Sequence, residues 1–303
     1  VHLNKIKDDV YYIDAAVNMG LIVNDRREAL LVDTGIDESV ARKVRRLLEE
    51  NGLHLKGIII THAHADHCGG APHLVKATGA RVYATAFEKT VLEFPVWEPL
   101  YLFAGAYPPA PLRHKFFLAP GVRVDEVIGP GVQTVEGCEV EVVDLAGHTL
   151  GQVGVAARGV FFCADAVIAP EVIAKHGVPL NASLEKALQT FDLLENRPDS
   201  YFVPAHGKPV DDIRPVVGAN RDRINATLEC ILALSDRPRT VEEVLAAVCD
   251  ACGVNISNMG QYYLMHLTVM AYLGYLLDRE KISVFYEGNR QSFYASSTTT
   301  AVP

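Results

Sequence analysis

One short stretch concentrates more reactive side chains than any other part of the chain: Thr61-His62-Ala63-His64-Ala65-Asp66-His67-Cys68-Gly69-Gly70, directly after the apolar run Gly57-Ile58-Ile59-Ile60. Four of the six residues from His62 to His67 can bind a metal ion. A structural role rarely demands such a cluster, because each buried neutral imidazole needs its own hydrogen-bond partner. Two ions would need more ligands than these four. Candidates stand singly further along: His148 in Ala146-Gly147-His148-Thr149, Asp165 in Phe161-Phe162-Cys163-Ala164-Asp165, and His206 in Pro204-Ala205-His206-Gly207. A lone His beside Gly is usually a satisfied turn residue. Three such sites following a dense cluster point instead to shared coordination. Imidazole and carboxylate ligands suit zinc, and also iron or manganese.

These residues need a scaffold that gathers them, and the pattern predicts one. Strands are expected at 10–13, 21–23 and 29–32, the last two forming a hairpin around Asn24-Asp25-Arg26-Arg27. Val40, Val44, Leu47 and Leu48 recur at helical spacing over 39–50, and Asn51-Gly52 stops that helix. A buried strand at 57–61, a helix at 71–76 and a strand at 81–84 follow. Further strands are expected at 132–135, 138–143, 153–156, 160–163 and 201–203, with a helix at 184–195 behind Ser183. Strands alternating with helices give an α/β layered fold, and two strand-rich halves give a four-layer sandwich. Between 94 and 118 lie Trp97, Tyr101, Phe103, Tyr107, His114, Phe116 and Phe117 among five prolines. Long irregular segments in compact domains often cover sites, so 94–118 reads as an aromatic cap whose substrate-facing candidates are Trp97, Tyr101, Phe103, Tyr107 and His114. After Pro215 helices are expected at 218–234, 241–251 and 259–277, then a hairpin of 282–286 with 292–295. Three helices and a hairpin read as a winged helix, and 296–303 as a loose tail.

Composition narrows the partners. In 303 residues, 28 Lys and Arg face 37 Asp and Glu, a net charge of −9, which argues against a general attraction to nucleic acid or anionic membrane. Six scattered cysteines and a start without a charged-then-apolar pattern make a reducing cytoplasm the expectation. No Asp, Glu, Lys or Arg occurs from Ala251 to Leu277, long enough to span a bilayer. Asn255, Ser257, Asn258, Gln261, His266 and Thr268 would be costly facing lipid, so a buried or interface helix is the better reading and no membrane span is expected.

Taken together, the motifs resemble the metallo-β-lactamase superfamily over roughly residues 10–210. The match comprises Asp33 in Leu31-Val32-Asp33-Thr34-Gly35, the His-x-His-x-Asp-His box, His148, Asp165 and His206. The resemblance implies an αββα sandwich with a two-metal site at the strand ends, usually of Zn2+. By carry-over His62, His64 and His148 hold the first metal, Asp66, His67 and His206 the second, and Asp165 bridges both. Asp33 corresponds to a residue that supports the site without binding metal. The ligands then fill both sites, leaving Cys68 a small apolar neighbour. Two cations about 3.5 to 4 Å apart would lower the pKa of a bridging water towards ~7, giving hydroxide for attack on a carbonyl or phosphoryl centre. Asp66, beside that water, is the candidate to orient it and move its proton.

Departures from the pattern of individual branches narrow the reaction. The oxygen- or nitric-oxide-reducing di-iron branch typically replaces the second His of the box by Glu, so hydrolysis is favoured here. Residues 211–295 resemble the winged-helix tail of the β-lactamase-like hydrolase subgroup. Glyoxalase II instead ends in a helical domain whose Arg-x-x-Lys pair grips glutathione, and no such pair follows residue 213. The quorum-signal lactonases place Tyr three residues after the bridging Asp, where this chain has Ile168. From Ile213 to Ala295, eight basic residues face nine acidic ones, which disfavours a phosphate-tracking surface. Tyr262, Tyr263, Leu264, Leu267, Met270, Leu273, Leu276 and Leu277 cover much of the last helix, which must be buried against the catalytic domain or a second copy; a homodimer is the expectation. The reading is a two-domain hydrolase, catalytic over 1–212 and winged-helix-like over 213–295, acting on a small-molecule ester, thioester or lactone. The rivals are a metal-dependent phosphodiesterase or nuclease, and a winged-helix binding module with a secondary metal site.

Overall fold

The computed structural model describes residues 1–296. Strands β1 (His2–Lys7), β2 (Val10–Asp14), β3 (Met19–Val23) and β4 (Glu28–Val32) meander antiparallel. Helix α1 (Glu38–Glu50) then returns the chain so that β5 (His54–Ile59) lies parallel to β4. The short α2 (Ala65–Cys68) and α3 (Ala71–Thr78) lead to β6 (Arg81–Ala84), and α4 (Ala86–Glu93) and α5 (Trp97–Leu102) lead towards β7 (Glu126–Val127), completing a seven-stranded mixed sheet. α1 forms where the pattern requires it. Asp37 accepts from the Val40 N–H, Ala41, Val44 and Leu48 face inward, and Arg–Glu pairs four residues apart occupy the outer face.

The second sheet holds β8 (Gly131–Val135), β9 (Cys138–Asp144), β10 (Val153–Ala157) and β11 (Val160–Ala164), all antiparallel. After α6 (Pro170–His176) and α7 (Leu184–Glu195), β12 (Tyr201–Pro204) joins parallel to β11. Ile22, Leu30, Ile59 and Tyr83 from the first sheet meet Val140, Val142, Val155 and Phe162 from the second in one core. The other face of the first sheet packs under α1 and α3. That is the α/β fold of two mixed sheets flanked by helices. Strands buried on both faces explain why β4, β10 and β11 are apolar runs rather than alternating ones.

The last segment contains α8 (Arg214–Leu234), α9 (Val241–Cys252), α10 (Met259–Asp278) and the hairpin β13 (Ile282–Glu287)–β14 (Arg290–Ala295). Its core is continuous with that outside the second sheet, joining Phe161, Phe191 and Phe202 to Ile224, Val248, Tyr272 and Phe293. The charge-free run is thereby distributed over the end of α9, a loop and α10; among the described residues no helix is long and apolar enough to cross a membrane.

Several elements differ from the sequence expectation. α8 begins four residues earlier than 218, with Pro215 in its first turn where a missing N–H costs nothing. β1 is an edge strand with mainly exposed or half-buried residues, so it shows little apolar signal. The cap is less irregular than predicted, because α4 and α5 occupy its approach and its first half. Of the expected tail, Ser296 donates its N–H to the Lys281 carbonyl at 3.1 Å, and 297–303 lie outside the described residues.

Candidate metal centre

The candidate ligands lie just beyond strand ends on one rim of the sandwich: the box after β5, His148 between β9 and β10, Asp165 directly after β11 and His206 after β12. Asp33 follows β4. Asp33 and Ala164 hold left-handed backbone, φ 63° and 48°, unusual for residues other than glycine and common at functional turns. The box is pinned from below. The Thr34 N–H and hydroxyl both donate to the His67 carbonyl, at 2.7 and 2.9 Å. Gly69 approaches the loop at Ile36 so closely that a Cβ would stand 2.0 Å from a carbonyl oxygen, so no larger residue fits there.

Two facing groups emerge. Ring nitrogens of His62, His64 and His148 lie within 4.8 Å of one another, as do the ligand atoms of Asp66, His67 and His206; His62, His67 and Asp165 form a third, overlapping group. Asp165 stands between the first two. One of its oxygens is 3.5 Å from the Nε2 atoms of both His148 and His206, and the other is 3.3 Å from His67 Nε2. His148 Nδ1–H donates to the Leu180 carbonyl at 2.8 Å, leaving Nε2 as a lone-pair donor 2.9 Å from His64 Nδ1. His67 Nδ1–H donates to Asp33 at 2.8 Å. Asp33 also accepts from the Thr61 N–H and hydroxyl, both at 2.8 Å. The Thr61 oxygen is then free to accept from His62 Nδ1–H at 3.1 Å. Asp33 therefore orients His67 directly and His62 through Thr61.

The donor set fits metal ions. Among the described residues, His62 Nε2, His67 Nε2 and Asp165 Oδ1 are buried without a well-formed hydrogen bond, the last two facing each other only as an ion pair at 3.3 Å, an arrangement that is costly unless something else satisfies them. All three point into the overlapping group. Cys68 turns away, its thiol donating to the Ala63 carbonyl at 3.3 Å, so the set contains imidazole and carboxylate only.

Charge divides the site in two. Burial, followed by the neighbouring imidazoles, pushes His62 well below the ordinary histidine range and His64 down to about 3; burial also lowers His148. These three are neutral and ready to donate lone pairs. His206 is raised to about 10 by Asp165, against burial. Burial opposes the charge on His67 too, but Asp165, Asp33 and Asp66 outweigh it and raise His67 well above the ordinary range. Asp66 and Asp165 lie low despite burial, Asp66 at about 2 through His67 and His206, and Asp165 through His206 and His67. Without metal, protons on His67 and His206 balance the carboxylates where a cation would stand.

Two cavities open here. The wider, about 770 Å³, reaches from Asp66 and Asp165 past His114, Phe116 and Phe117 to Asn258, Gln261 and Leu264 of the loop before α10 and α10 itself. The narrower, about 240 Å³, runs beside His64 and His148 between Phe87, Val91, Leu150 and Leu267. Of the five cap residues expected to face substrate, Tyr101 and His114 do line a cavity, and the Tyr101 hydroxyl lies 3.4 Å from His64 Nε2. Trp97, Phe103 and Tyr107 line neither: Trp97 is half exposed, Tyr107 is 70% exposed beneath the Arg113 guanidinium, and Phe103 packs edge-on against Tyr263. The cap faces α10 as much as the site, because Leu102, Leu112 and Phe117 form a small core with Tyr263, Leu264 and Leu267.

Other supporting residues gave no sequence signal. Asn18 donates to the Pro204 and Gly207 carbonyls at 2.9 and 2.6 Å, fixing the turn that carries His206. Asn220 of α8 brackets Ile168, three residues after Asp165, donating to its carbonyl at 2.7 Å and accepting from its N–H at 3.1 Å. Buried Glu88 accepts from the Ala63 N–H at 2.8 Å and the Thr149 hydroxyl at 2.6 Å, linking the box to the His148 loop. Only Thr61, inside the box, was marked by its surroundings.

The fold and this rim define a class. A family model, the metallo-beta-lactamase superfamily, matches residues 13–206, and the chain belongs to that superfamily. Among curated relatives, the hydroxyacylglutathione hydrolase of Methylobacillus flagellatus is 31% identical over 144 residues, 48% of this chain and 45% of that protein. That of Albidiferax ferrireducens is 32% identical over 149 residues, 49% of this chain and 43% of that protein. The chain thus spans less than half the length of these relatives. Among solved structures, a beta-lactamase domain protein from Burkholderia ambifaria aligns over 97% of this chain and 94% of its own, with a TM-score of 0.77 and 19% identity. A metallo-beta-lactamase family protein from Thermus thermophilus aligns over 95% and 98%, with a TM-score of 0.69 and 21% identity. At these identities the structural likeness speaks for the fold alone, and it extends through α8–α10 and the hairpin.

Proposed function

We propose that this protein is a metal-dependent hydrolase that cleaves a small ester, thioester or lactone at a binuclear centre. His62, His64 and His148 would hold one ion, Asp66, His67 and His206 the other, and Asp165 would touch both; zinc suits this donor set. The observation that carries the reading is the narrow, apolar cavity opening directly at His64 and His148, which offers an acyl group a place beside the ligands. The curated relatives' name denotes a thioester substrate, which supports acyl over phosphoryl transfer. When bound, a pair of cations supplies Lewis acidity towards a carbonyl oxygen and lowers the pKa of water.

The chain's own residues do the rest. Asp66 keeps its carboxylate ionised and half-exposed to the wider cavity, where it orients a water and accepts its hydrogen bond. Asp33 and Thr61 hold the tautomers of His67 and His62. Tyr101 of the cap and Leu267 of α10 wall the acyl side. We read α8–α10 with the hairpin as a winged-helix-like unit used for packing, because α10 buries Met265, Val269, Tyr272, Leu273 and Leu276.

The test is turnover by the metal-loaded protein of matched thioester, lactone and phosphodiester substrates, alongside the His62→Ala/His64→Ala double variant. Carbonyl turnover lost in the double variant is expected. Phosphodiester turnover alone would overturn the acyl reading in favour of a nuclease or phosphodiesterase. Catalysis surviving in the double variant would remove the metal site from it.

A further inference from the structure

Glu98, in α5, is 5% exposed, yet its carboxyl makes no hydrogen bond or ion pair with any described residue. It lines both cavities. The residues common to both are His64, Glu98, Tyr101 and His148, so Glu98 stands at the junction between the metal ligands and the narrow apolar chamber. Its near neighbour Glu88 differs: both Glu88 oxygens are engaged, by Ala63 and Thr149. An unpartnered buried carboxyl is costly to maintain and is common where a ligand supplies the missing partner. Beyond this junction the walls are mainly apolar, with Phe87, Val91, Leu150 and Leu267, and the two polar residues there, Glu88 and Thr149, are hydrogen-bonded to each other. A chamber of 240 Å³ has room for about eight groups of some 30 Å³, the share of one water molecule.

We propose that the narrow chamber is an acyl subsite for an unbranched chain of up to about eight carbons, and that Glu98 selects chains bearing a hydroxyl close to the carbonyl. This rests on the acyl-hydrolase reading above. The position follows from the junction: a carbonyl placed at the ligands leaves the first carbons of the chain beside Glu98 and the remainder among Phe87, Val91, Leu150 and Leu267. The chemistry follows from the carboxyl. A carboxyl oxygen accepts a hydrogen bond from a hydroxyl in either protonation state, and burial, with Asp66 and Glu88 nearby, disfavours the charged form of Glu98. A plain alkyl chain would leave it unpaired, and sites with unpaired buried groups discriminate strongly against the analogue lacking the hydroxyl.

Two readouts test this on the metal-loaded full chain. The first is kcat/KM for acetyl, octanoyl, 2-hydroxyoctanoyl and 3-hydroxyoctanoyl thioesters of one thiol, with the wild type, Glu98→Leu, Glu98→Gln and Leu267→Trp. The second is calorimetric binding of octanoate and the two hydroxyoctanoates to the same proteins. We expect one hydroxyoctanoyl compound to exceed octanoyl by about tenfold or more. Glu98→Leu should reduce that ratio below about twofold, the isosteric Glu98→Gln should retain part of it, and Leu267→Trp should raise KM for the octanoyl chains while sparing acetyl. A hydroxyl preference unchanged in Glu98→Leu would overturn the assignment, as would an equal fall in kcat for every chain, which would make Glu98 part of the chemistry. If the wild type turns over no thioester, the thioester form of the acyl reading fails, and calorimetry decides the subsite separately: equal binding of octanoate and both hydroxyoctanoates overturns it.

Discussion

Replacing Asp33 by Ala removes the acceptor for three buried donors at once: the Thr61 N–H, the Thr61 hydroxyl and His67 Nδ1–H, each at 2.8 Å. Each donor left unsatisfied costs about 1–3 kcal/mol, and breaking a buried pair by deleting one partner typically costs about 3–5 kcal/mol. Water entering the gap would recover some of the sum, so the metal-free variant should be about 3–5 kcal/mol less stable in urea unfolding. Metal binding should suffer unequally. His67 loses the carboxylate that fixes its tautomer, whereas the hydroxyl contacting His62 loses only its own acceptor. Such supporting groups are worth about 10–100-fold in affinity, so the ion held by Asp66, His67 and His206 should weaken by that factor and the ion held by His62, His64 and His148 by less. Competition titration with a chromophoric chelator resolves the two steps. Equal weakening of both, or two unchanged affinities in a folded variant, would refute the role of Asp33 as the shared support.

The metal-free protein should have a stability maximum near neutrality. The folded pKa of His206, about 10, stands above its unfolded value of about 6.5, so its contribution is fully present below 6.5 and lost as pH rises through 10. That of His64, about 3, stands below, so its contribution is present above 6.5 and lost as pH falls towards 3. Thermal melts of stripped protein at pH 4–10 test both signs; His206→Ala showing the wild-type alkaline slope would contradict the first. Asn220→Ala should cost about 1–3 kcal/mol by freeing both backbone groups of Ile168, read by denaturant unfolding, and should weaken metal binding through the turn after Asp165. At Gly260 a Cβ would stand 2.5 Å from the Phe117 ring, so Gly260→Ala should cost about 1–3 kcal/mol and raise KM by displacing the cap; an unchanged KM would show that the cap does not depend on that contact. Glu98→Leu should melt at or above the wild-type temperature, since it removes a buried carboxyl without a partner.

The sandwich was legible because burial on both faces leaves apolar runs in β4, β10, β11 and the second half of β5, and because α1 and α7 carry capping residues ahead of amphipathic spacing. The box and Asp165 were legible because each follows such a run, whereas His148 and His206 stood out by their order after the box. What the sequence hid depends on contacts between distant segments. Asn18 and Asn220 look like ordinary loop and helix asparagines until the fold brings them to Gly207 and Ile168. Glu88 and Glu98 lie among the exposed-looking charges of α4 and α5, yet the box and the His148 loop enclose Glu88, and Glu98 is buried where the cap closes over α10. The same closure explains Phe103, whose aromatic character matched a substrate contact but whose neighbour is Tyr263.

Leu264 and Leu267, together with Asn258 and Gln261, form walls of the cavities, yet all four follow residue 206, where the match to the superfamily ends. Part of the wall that would meet a substrate is therefore encoded outside the segment that would bind metal, while Phe87, Val91, Glu98 and Leu150 lie within it. Substitutions along one face of α10 can change which molecules fit without disturbing a ligand, and a relative with the same His and Asp positions but a different final helix need not share a substrate. Inheritance of chemistry and inheritance of selectivity are thus partly uncoupled in this architecture, which makes α10 one place to seek divergence between otherwise similar chains and a place to randomise when a new specificity is wanted.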